Sequence, residues 1–363
     1  MAKTHKPKIL ILVCDLYHGG VQRVIARLSH EWAKTHEVTI VVNETPAHTS
    51  AYALGGRIHY LNAPHSHNLA MKIARRIQRY TRLARLIRQQ QFTHLIAFQE
   101  RSNFQLIIAS MLAGMLGRTT ASVHNTPSHM EWDLRVLMRV LYRLPKRVVV
   151  VSLGIKQQLL AMGIPPDKIK FIPNPSSAPP RLPVPRPSCH GKYILAVGRL
   201  KPQKGFDLLL HAYADLLQIA PKPTPPLVIV GDGEERQALV SLAQSLGIAG
   251  RVIFTGMVDN PECWYAHAEL FVLSSRFEGW GLVLTEAMAY GCPVVSFDCP
   301  VGPREIIKHR VSGLLVANGD IKALTKAIAQ VLGDAKLRQR LMLAGKKRAG
   351  EFAVETIAPQ WLK

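Results

Sequence analysis

Residues 269–298 read ELFVLSSRFEGWGLVLTEAMAYGCPVVSFD, and this stretch decides the fold class. Apolar runs at 269–273 and 293–296 predict two short strands, and a helical pattern at 282–290 lies between them. Neither run alternates apolar with polar residues, which is typical of strands covered on both faces in a parallel sheet. The stretch therefore predicts a strand–helix–strand unit of an α/β domain.

Similar units recur along the chain on both sides of a proline-rich stretch at 173–187. Before that stretch the pattern predicts strands at 8–13, 37–42, 93–98, 119–124, 147–152 and 169–172, and helices at 20–34, 69–90, 103–116, 133–143 and 153–161. After it, the predicted strands are 192–197, 226–230, 251–255, 269–273, 293–296 and 313–316. The predicted helices there are 205–218, 233–246, 282–290, 319–332 and 335–348.

This organisation predicts two doubly wound, Rossmann-like α/β domains, 1–175 and 191–348. The prolines cannot continue a helix or a central strand, so 176–190 is interpreted as a linker. Residues 349–363 remain as a closing helix. Ligands are expected at the carboxyl ends of the strands, in a cleft between the two domains.

Composition narrows the class of protein. Nearly half of the 363 residues are hydrophobic, which is enough for two sizeable cores. The five cysteines lack metal-binding spacing, so we interpret them as reduced thiols of a cytosolic protein. No apolar run has the length of a signal peptide or a membrane span. The net charge of +22 lies mainly in residues 1–176, which predicts an anionic partner for the first half.

The loop after the first predicted strand, 14–20, ends in Gly19 and Gly20 and leads into a helix. Glycines at a strand-to-helix turn let the backbone approach an anion, which the helix N-terminus attracts. The alternative is an ordinary tight turn, and the loop has no dinucleotide-binding GxGxxG pattern.

A second loop, 198–205, places Arg199 and Lys204 before the next helix. A guanidinium fork and an ammonium group at one helix start suit a diphosphate. The alternative is a solvated basic loop.

A third loop places Glu278 and Glu286 eight residues apart, around Gly279, Trp280 and Gly281. Carboxylates together with exposed backbone amides can bind vicinal hydroxyls of a sugar. The alternatives are a glutamate favoured by the helix dipole and a tryptophan that only packs.

Seven stretches together carry a resemblance. They are HGGVQRVIARLS (18–29), SVHN (122–125), GRLKPQKGFDLLL (198–210), VGDGEERQAL (230–239), FTGMV (254–258), SSRFEGWGLVLTEAMAYGCPVVSFD (274–298) and FAVETIAPQW (352–361). In combination they resemble family 4 of the glycosyltransferases, which have the GT-B fold, and the resemblance covers nearly the whole chain.

The resemblance implies a role for each matching residue. Glu278 would contact the transferred sugar at the catalytic centre, His124 would lie near that sugar, and Glu286 would bind the nucleotide ribose. Arg199 and Lys204 would hold the diphosphate and stabilise charge on the leaving group. The other donor-binding positions would be Gly19, Gly20, Gly256, Met257, Val258, Gly279, Trp280, Gly281 and Leu282.

The closing helix would pack back on the first domain through Phe352 and Trp361, again by resemblance. The reaction implied is displacement at an anomeric carbon with retention of configuration. No DxD element stands in a plausible metal position, since Asp232 lies alone between two glycines. We therefore expect no metal ion and no cofactor, with a nucleotide sugar as the donor substrate.

Residues 71–88 predict a basic amphipathic helix, MKIARRIQRYTRLARLIR. Its apolar stripe would pack on the sheet, and its basic face is either solvated or bound to an anionic acceptor or membrane surface. The basic residues assigned to that surface are Lys72, Arg75, Arg76, Arg79 and Arg82.

The segment 297–307 resembles the version in glycosyltransferases that build lipopolysaccharide, capsule and lipid-linked oligosaccharides. That resemblance favours a UDP-linked hexose or N-acetylhexosamine as donor and a lipid-linked glycan as acceptor. The predicted location is the cytoplasmic face of the inner membrane, with peripheral attachment.

Three competing interpretations remain at this point. A nucleic-acid-binding protein would account for the charge but leave the two glutamates unexplained. A catalytically silent GT-B partner subunit would not need Glu278, Glu286, Arg199 and Lys204 together. Phosphorolysis or epimerisation of nucleotide sugars on the same fold would differ from transfer in its dependence on an acceptor.

Overall fold

The computed structural model describes residues 6–17, 19–43, 50, 52–62, 69–176, 191–220, 223–258 and 261–363, with backbone alone at 69–73. The chain divides into two compact units, and the second, Ser176–Ala353, interrupts the first, Met1–Pro175 with Val354–Lys363. The predicted linker lies outside the described residues except at Ser176.

The first unit is built on a parallel sheet of seven strands in the order β3-β2-β1-β4-β5-β6-β7. The strands are β1 (Lys8–Val13), β2 (Glu37–Val42), β3 (Arg57–Tyr60), β4 (His94–Phe98), β5 (Thr119–Val123), β6 (Arg147–Val150) and β7 (Ile169–Phe171). The helices are α1 (Gly20–Ala33), α2 (Leu69–Gln90), α3 (Glu100–Ala113), α4 (Trp132–Leu141) and α5 (Leu153–Ala161).

The core of this unit explains the apolar runs of the sequence. Ile9 to Val13 are fully buried, and the same holds for most of β4, β5 and β6. One cluster joins Leu10 and Leu95 of the sheet to Leu83 and Ile87 of α2. Helices therefore cover the sheet, as the non-alternating strands predicted.

The second unit has a parallel sheet of six strands in the order β10-β9-β8-β11-β12-β13. Its strands are β8 (Ile194–Val197), β9 (Leu227–Val230), β10 (Val252–Gly256), β11 (Leu270–Leu273), β12 (Val294–Asp298) and β13 (Leu314–Ala317). Its helices are α6 (Phe206–Ile219), α7 (Arg236–Ser245), α8 (Glu262–His267), α9 (Leu282–Ala289), α10 (Pro303–Ile306), α11 (Ile321–Gly333) and α12 (Ala335–Gly350).

The closing segment differs from the prediction of one helix over 349–363. It forms two short turns, α13 (Val354–Ile357) and a 3₁₀ turn at Ala358–Trp361. Trp361 is buried in the first unit, stacked on Phe98 at 5.3 Å between ring centroids. Phe352 belongs to the second unit, where it meets Trp280 edge to face at 5.3 Å. The assignment of Phe352 as an anchor on the first unit was wrong.

Candidate functional site

The three candidate loops follow strands at the points where each sheet reverses its strand order. In the second unit, β8 and β11 are neighbours, and the chain runs from them towards opposite edges of the sheet. The loops 198–205 and 274–281 follow these two strands. A topological switch point of this kind is where open α/β sheets bind ligands.

Hydrogen bonds join the two loops of the second unit to each other. Ser274 Oγ donates to the Lys204 carbonyl at 3.0 Å, and Gln203 Nε2 donates to the Phe277 carbonyl at 3.0 Å. The Arg276 amide donates to the Gln203 carbonyl at 2.8 Å. Arg276 also forms a bidentate pair with Asp207, at 2.8 and 2.6 Å. The loops therefore form one fixed structure, which preorganises the side chains they carry.

Gly205 makes this close approach possible. Its φ of +59° is left-handed, and a Cβ at this position would lie 2.2 Å from the Ser274 carbonyl oxygen. Only glycine combines that backbone angle with that contact.

Lys204 and Glu278 form an ion pair at the centre of the joined loops. Lys204 Nζ lies 2.6 Å from Glu278 Oε1, and Ser275 Oγ donates to the same oxygen at 2.7 Å. Both charged side chains are mostly shielded from water. The ion pair and the additional hydrogen bond from Ser275 fix the position of both groups. The Lys204 ammonium and the Glu278 carboxylate are therefore preorganised for a polar ligand.

Arg199 is the exposed cation of the site. It lies just beyond the carboxyl end of β8, and its guanidinium has no hydrogen-bond partner in the part of the chain that the structure describes. Because the described residues do not use its donors, Arg199 is available to an anion at the carboxyl end of β8.

Gly279, Trp280 and Gly281 follow Glu278 in the loop that leads into α9. Gly281 begins the turn into α9 in a left-handed conformation, with φ of +99°, and Leu282 is the first residue of the helix. Trp280 is buried against Phe352, and its Nε1 has no hydrogen-bond partner among the described residues. Trp280 therefore packs against Phe352, and its role in the sugar pocket stays a prediction.

Glu286 is the fifth residue of α9 and is almost fully buried. Its Oε2 accepts a hydrogen bond from the Tyr265 hydroxyl at 3.1 Å. Tyr265 lies on α8, which the sequence patterns did not predict, and its ring stacks on Tyr290 at 6.2 Å. The second glutamate is thus held in place by an aromatic neighbour that the sequence analysis missed.

The predicted base-binding segment follows β10 at the edge of the same sheet. Gly256 has a φ of +75°, Met257 is exposed and Val258 is half-buried. Asp232 follows β9 and accepts a hydrogen bond from the Gly233 amide at 2.8 Å. Within the described residues, no group of three or more histidine, cysteine, aspartate or glutamate side chains has a metal-binding arrangement.

In the first unit the strand order reverses between β1 and β4. Gly19 and Gly20 follow β1 and begin α1, and Gly19 has extended backbone with no side-chain cap on the helix. Asp15 and Cys14 fix the same loop, since Asp15 Oδ1 accepts from Gln22 Nε2 at 2.9 Å and Cys14 Sγ lies 3.1 Å from Ser102 Oγ. An uncapped helix start at a switch point is what the anion-binding prediction requires.

His124 follows β5 and is buried. Its Nε2 lies 3.1 Å from Ser122 Oγ, and its ring lies 5.4 Å from that of Phe98. Burial lowers the pKa of His124 to about 3. The ring is therefore neutral at physiological pH and acts as a hydrogen-bonding group, not as a cation.

Glu100 is a buried carboxyl that the sequence analysis missed. It begins α3 directly after β4, and the preceding residue, Gln99, has a left-handed φ of 72°. Asn125 Nδ2 lies 3.4 Å from Glu100 Oε2, while Oε1 has no partner among the described residues. Burial raises the pKa of Glu100. Its position in the sequence could have identified it, since polar residues immediately after a buried strand lie at the ligand-binding edge of the sheet.

The basic helix α2 contributes fewer free cations than its sequence indicates. Arg82 Nη1 donates to the Leu61 and Asn62 carbonyls, both at 2.7 Å. Arg75 and Arg79 are half-buried, Arg76 is exposed, and the side chain of Lys72 lies outside the described part. Leu83, Ala84, Leu86 and Ile87 are buried, which confirms the packing of the apolar stripe.

Comparison with known proteins gives a family match in each half of the chain. Residues 18–176 match the model of Glycosyltransferase Family 4, and residues 187–348 match that of Glycosyl transferases group 1. The chain belongs to glycosyltransferase family 4. The matched ranges include Gly19, Gly20 and His124 of the first unit and Lys204, Glu278 and Glu286 of the second.

Two full-length relatives come from Campylobacter jejuni. One is named GalNAc-alpha-(1->4)-GalNAc-alpha-(1->3)-diNAcBac-PP-undecaprenol alpha-1,4-N-acetyl-D-galactosaminyltransferase and is 28% identical, over 98% of this glycosyltransferase and 97% of the relative. The other is N-acetylgalactosamine-N,N'-diacetylbacillosaminyl-diphospho-undecaprenol 4-alpha-N-acetylgalactosaminyltransferase, 29% identical over 98% of each chain.

A solved structure shares the fold of this glycosyltransferase. Anabaena HepE, crystallised with UDP and glucose, superposes with a TM-score of 0.80 over 98% of both chains at 20% identity. The GT-B prediction is therefore confirmed. No helix in the described residues combines the length and the apolar character needed to cross a bilayer.

Proposed function

We propose that this glycosyltransferase transfers a hexose or N-acetylhexosamine from a UDP-sugar to a lipid-linked or lipopolysaccharide-type glycan, with retention of the α configuration. The observation that carries the proposal is the joined pair of loops at the second switch point. There the Lys204–Glu278 pair, at 2.6 Å, lies on loops that also carry the exposed Arg199. The C. jejuni relatives are named for undecaprenol-linked acceptors, which supports this acceptor class.

In this proposal the two cations bind the donor diphosphate. Arg199 and Lys204 stabilise the negative charge that grows on the leaving group as the anomeric carbon–oxygen bond breaks. Glu278 accepts hydrogen bonds from hydroxyls of the transferred sugar, and Glu286 accepts them from the ribose. The crystal structure of HepE with UDP supports UDP as the nucleotide.

Retention follows if the acceptor attacks on the face that the diphosphate leaves. The bond from the acceptor oxygen to the anomeric carbon forms as the bond to the diphosphate oxygen breaks, through an oxocarbenium-like state. The acceptor proton passes to a phosphate oxygen of the leaving group. His124, neutral because its pKa is about 3, serves as a hydrogen-bonding group towards the sugar.

The donor half of the proposal is tested by thermal stabilisation with UDP, GDP, ADP and common UDP-sugars. A ligand at a hundred times its dissociation constant adds about 2.7 kcal/mol to the stability of the protein that binds it. We expect UDP and one UDP-sugar to raise the unfolding temperature, and Arg199→Ala to reduce that rise. A shift with GDP or ADP alone would overturn the choice of nucleotide.

The acceptor half is tested with the UDP-sugar so identified and two acceptors, a polyprenyl-diphosphate-linked saccharide and a truncated lipopolysaccharide. Nuclear magnetic resonance of the product reports the anomeric configuration, and a β linkage would contradict retention.

We propose that no metal ion takes part, since two cations occupy the diphosphate site. Turnover should therefore be unchanged by a chelator of divalent ions.

The location we propose is the cytoplasmic face of the inner membrane, with peripheral attachment to anionic lipid. A lipid-linked acceptor is presented at a bilayer surface, and the excess positive charge of residues 1–176 favours an anionic one. Fractionation of cells tests this location. We expect the protein to be recovered with the membranes and to be released from them by high salt. Recovery of the protein entirely in the soluble fraction at low salt would contradict this location.

A further inference from the structure

Helix α4 exposes a continuous apolar stripe. Trp132, Val136 and Val140 are 76%, 48% and 60% exposed, and Leu144, just beyond the helix, is 40% exposed. Residues four apart lie on one face of a helix, so these side chains form one row, with the exposed Leu137 beside it. A row of large apolar side chains in contact with water marks an interaction surface.

The opposite face of α4 is the one that attaches it to the first unit. Met138 is fully buried. Tyr142, just beyond the helix, is also fully buried, and its hydroxyl accepts a hydrogen bond from Asn103 Nδ2 at 2.8 Å. Its ring lies 5.8 Å from that of Phe104 on α3. Because these contacts fix the rotation of the helix, the apolar stripe is held facing outwards.

A row of cations lies along one side of the stripe. Arg135, Arg139 and Arg143 are spaced four apart and are exposed, as is Lys146, and Arg143 Nη2 donates to the Gly163 carbonyl at 3.0 Å. Two carboxylates, Glu131 and Asp133, lie at the N-terminal end of α4. The remaining length of the stripe therefore has cations alone beside it, which is the arrangement of a helix that lies in the interface of an anionic bilayer.

We propose that α4 is the element through which the glycosyltransferase docks on an anionic lipid surface. Trp132, Val136 and Val140 enter the interfacial layer, and Arg135 and Arg139 contact the lipid phosphates. Docking at this surface deepens the proposed function, because it rests on the acceptor being membrane-linked.

Over residues 74–90, where the structure describes its side chains, the basic helix α2 lacks the corresponding apolar surface. Its buried residues Leu83, Leu86 and Ile87 pack in the core, and Arg82 is held by backbone carbonyls. Ile77 is the one exposed large apolar side chain on the part of α2 whose side chains the structure describes. Over its described side chains, α2 therefore differs from α4 in the apolar surface that interfacial docking requires.

The test is flotation of the full-length protein with vesicles of phosphatidylglycerol and phosphatidylcholine, or of phosphatidylcholine alone. Binding is expected with the anionic vesicles only. The double variant V136S/V140S should bind about tenfold more weakly, and R135E/R139E should lose about fivefold per charge removed. The matched controls are Ile219→Ser, an equally exposed apolar residue of the second unit, and R76E/R85E on α2.

The proposal is overturned if the α4 variants bind like wild type, or if R76E/R85E alone abolishes binding. It is also overturned if V136S/V140S changes the oligomeric state in the absence of vesicles, since the stripe would then join two copies. Thermal stabilisation by UDP and turnover with a water-soluble acceptor should be unchanged in the α4 variants. A wild-type protein that floats with vesicles but lacks transfer would overturn the proposed function and leave the docking surface standing.

Discussion

Burial acts on two titratable side chains of the first unit in opposite directions. It lowers the pKa of His124 to about 3 and raises the pKa of Glu100, because both charged forms lose their water. The two residues follow neighbouring strands, β5 and β4. Burial at this end of the sheet therefore disfavours the charged form of both side chains.

The buried Glu100 leads to a prediction for stability and pH. A carboxyl with a raised pKa in the folded state binds its proton more tightly there than in the unfolded chain. Its contribution to stability is therefore present at low pH and is lost as the pH rises from the ordinary value, about 4.5, through the folded value. Glu100→Gln cannot ionise, so we expect it to unfold at higher denaturant concentration than wild type at pH 7.

Denaturant unfolding from pH 4 to pH 8 measures this difference. The advantage of the Gln variant should shrink towards pH 4, where wild-type Glu100 is protonated. The exposed Glu131→Gln serves as the control and should show no such trend. A Gln variant that is less stable than wild type at pH 7 would show that the Glu100 carboxylate is stabilised in the folded protein.

The Lys204–Glu278 pair leads to a prediction for turnover. Lys204→Ala removes an ammonium group 2.6 Å from Glu278, so both the diphosphate charge and the position of Glu278 lose support. Loss of one preorganised group that stabilises developing charge costs about a hundredfold in rate. We expect a fall of that size in kcat, measured as UDP release in the presence of acceptor.

Lys201 provides the matched control three residues earlier. It is more exposed than Lys204 and lies 3.7 Å from Glu234, so Lys201→Ala should keep nearly full turnover. Equal losses in the two variants would mean that general basic charge in this loop, and not the ion pair with Glu278, is what catalysis needs.

At the scale of elements, the strands and helices that bury apolar residues could be predicted closely from the sequence. Predicted strands at 8–13 and 37–42 are β1 and β2 to the residue, and the predicted helix 69–90 is α2. Strand β3 was missed because its residues Arg57 to His59 are exposed at the sheet edge, so no apolar run marks it. The short α8 was missed, and with it the Tyr265 hydroxyl on Glu286.

The candidate site was predictable where charge or glycine stands at a strand end. Arg199, Lys204, Glu278, Gly19 and Gly20 all meet that condition. What the sequence could not give is the hydrogen bonding between the loops, because Ser274 and Gln203 carry no signal of their own. The hydrogen bonds of Arg82 could not be predicted either, since its partners are backbone carbonyls.

Gly205 allows the junction between the two loops to be tested. Gly205→Ala would place a Cβ 2.2 Å from the Ser274 carbonyl oxygen, in a left-handed backbone that already disfavours alanine. We expect a loss of stability of about 3 kcal/mol and weaker UDP binding, because the loops must separate. Gly247→Ala is the control, since its φ of +69° is similar and no atom lies within 4 Å of the added Cβ.

Thermal unfolding of the two variants, with and without UDP, separates backbone strain from steric contact. Gly247→Ala should lose about 1 kcal/mol and keep the UDP-induced shift. Equal losses in the two variants would show that the contact with Ser274 is relieved at no cost, and that the loops are not rigidly joined.

At the scale of the molecule, the end of the chain completes the first unit. Trp361 is fully buried between Phe98, at 5.3 Å, and Trp32, at 6.3 Å. Trp32 Nε1 donates to the Ala358 carbonyl at 3.0 Å, and Arg147 donates to the Trp361 carbonyl. Since Phe98 also contacts His124, the last residues of the chain support the neutral histidine through one intervening ring.

Trp361→Ala should therefore affect the two units differently. Removal of a fully buried tryptophan costs about 3–5 kcal/mol, and here the loss falls on the unit that carries His124. Calorimetry should show a lower unfolding temperature, and turnover should fall as Phe98 and His124 lose their packing. Titration with UDP should give nearly the wild-type affinity, because the proposed donor contacts Arg199, Lys204 and Glu286 lie in the second unit.

Deletion of the exposed Lys363 is the control and should change neither property. A loss of UDP affinity as large as the loss of turnover would mean that Trp361 supports the donor site itself.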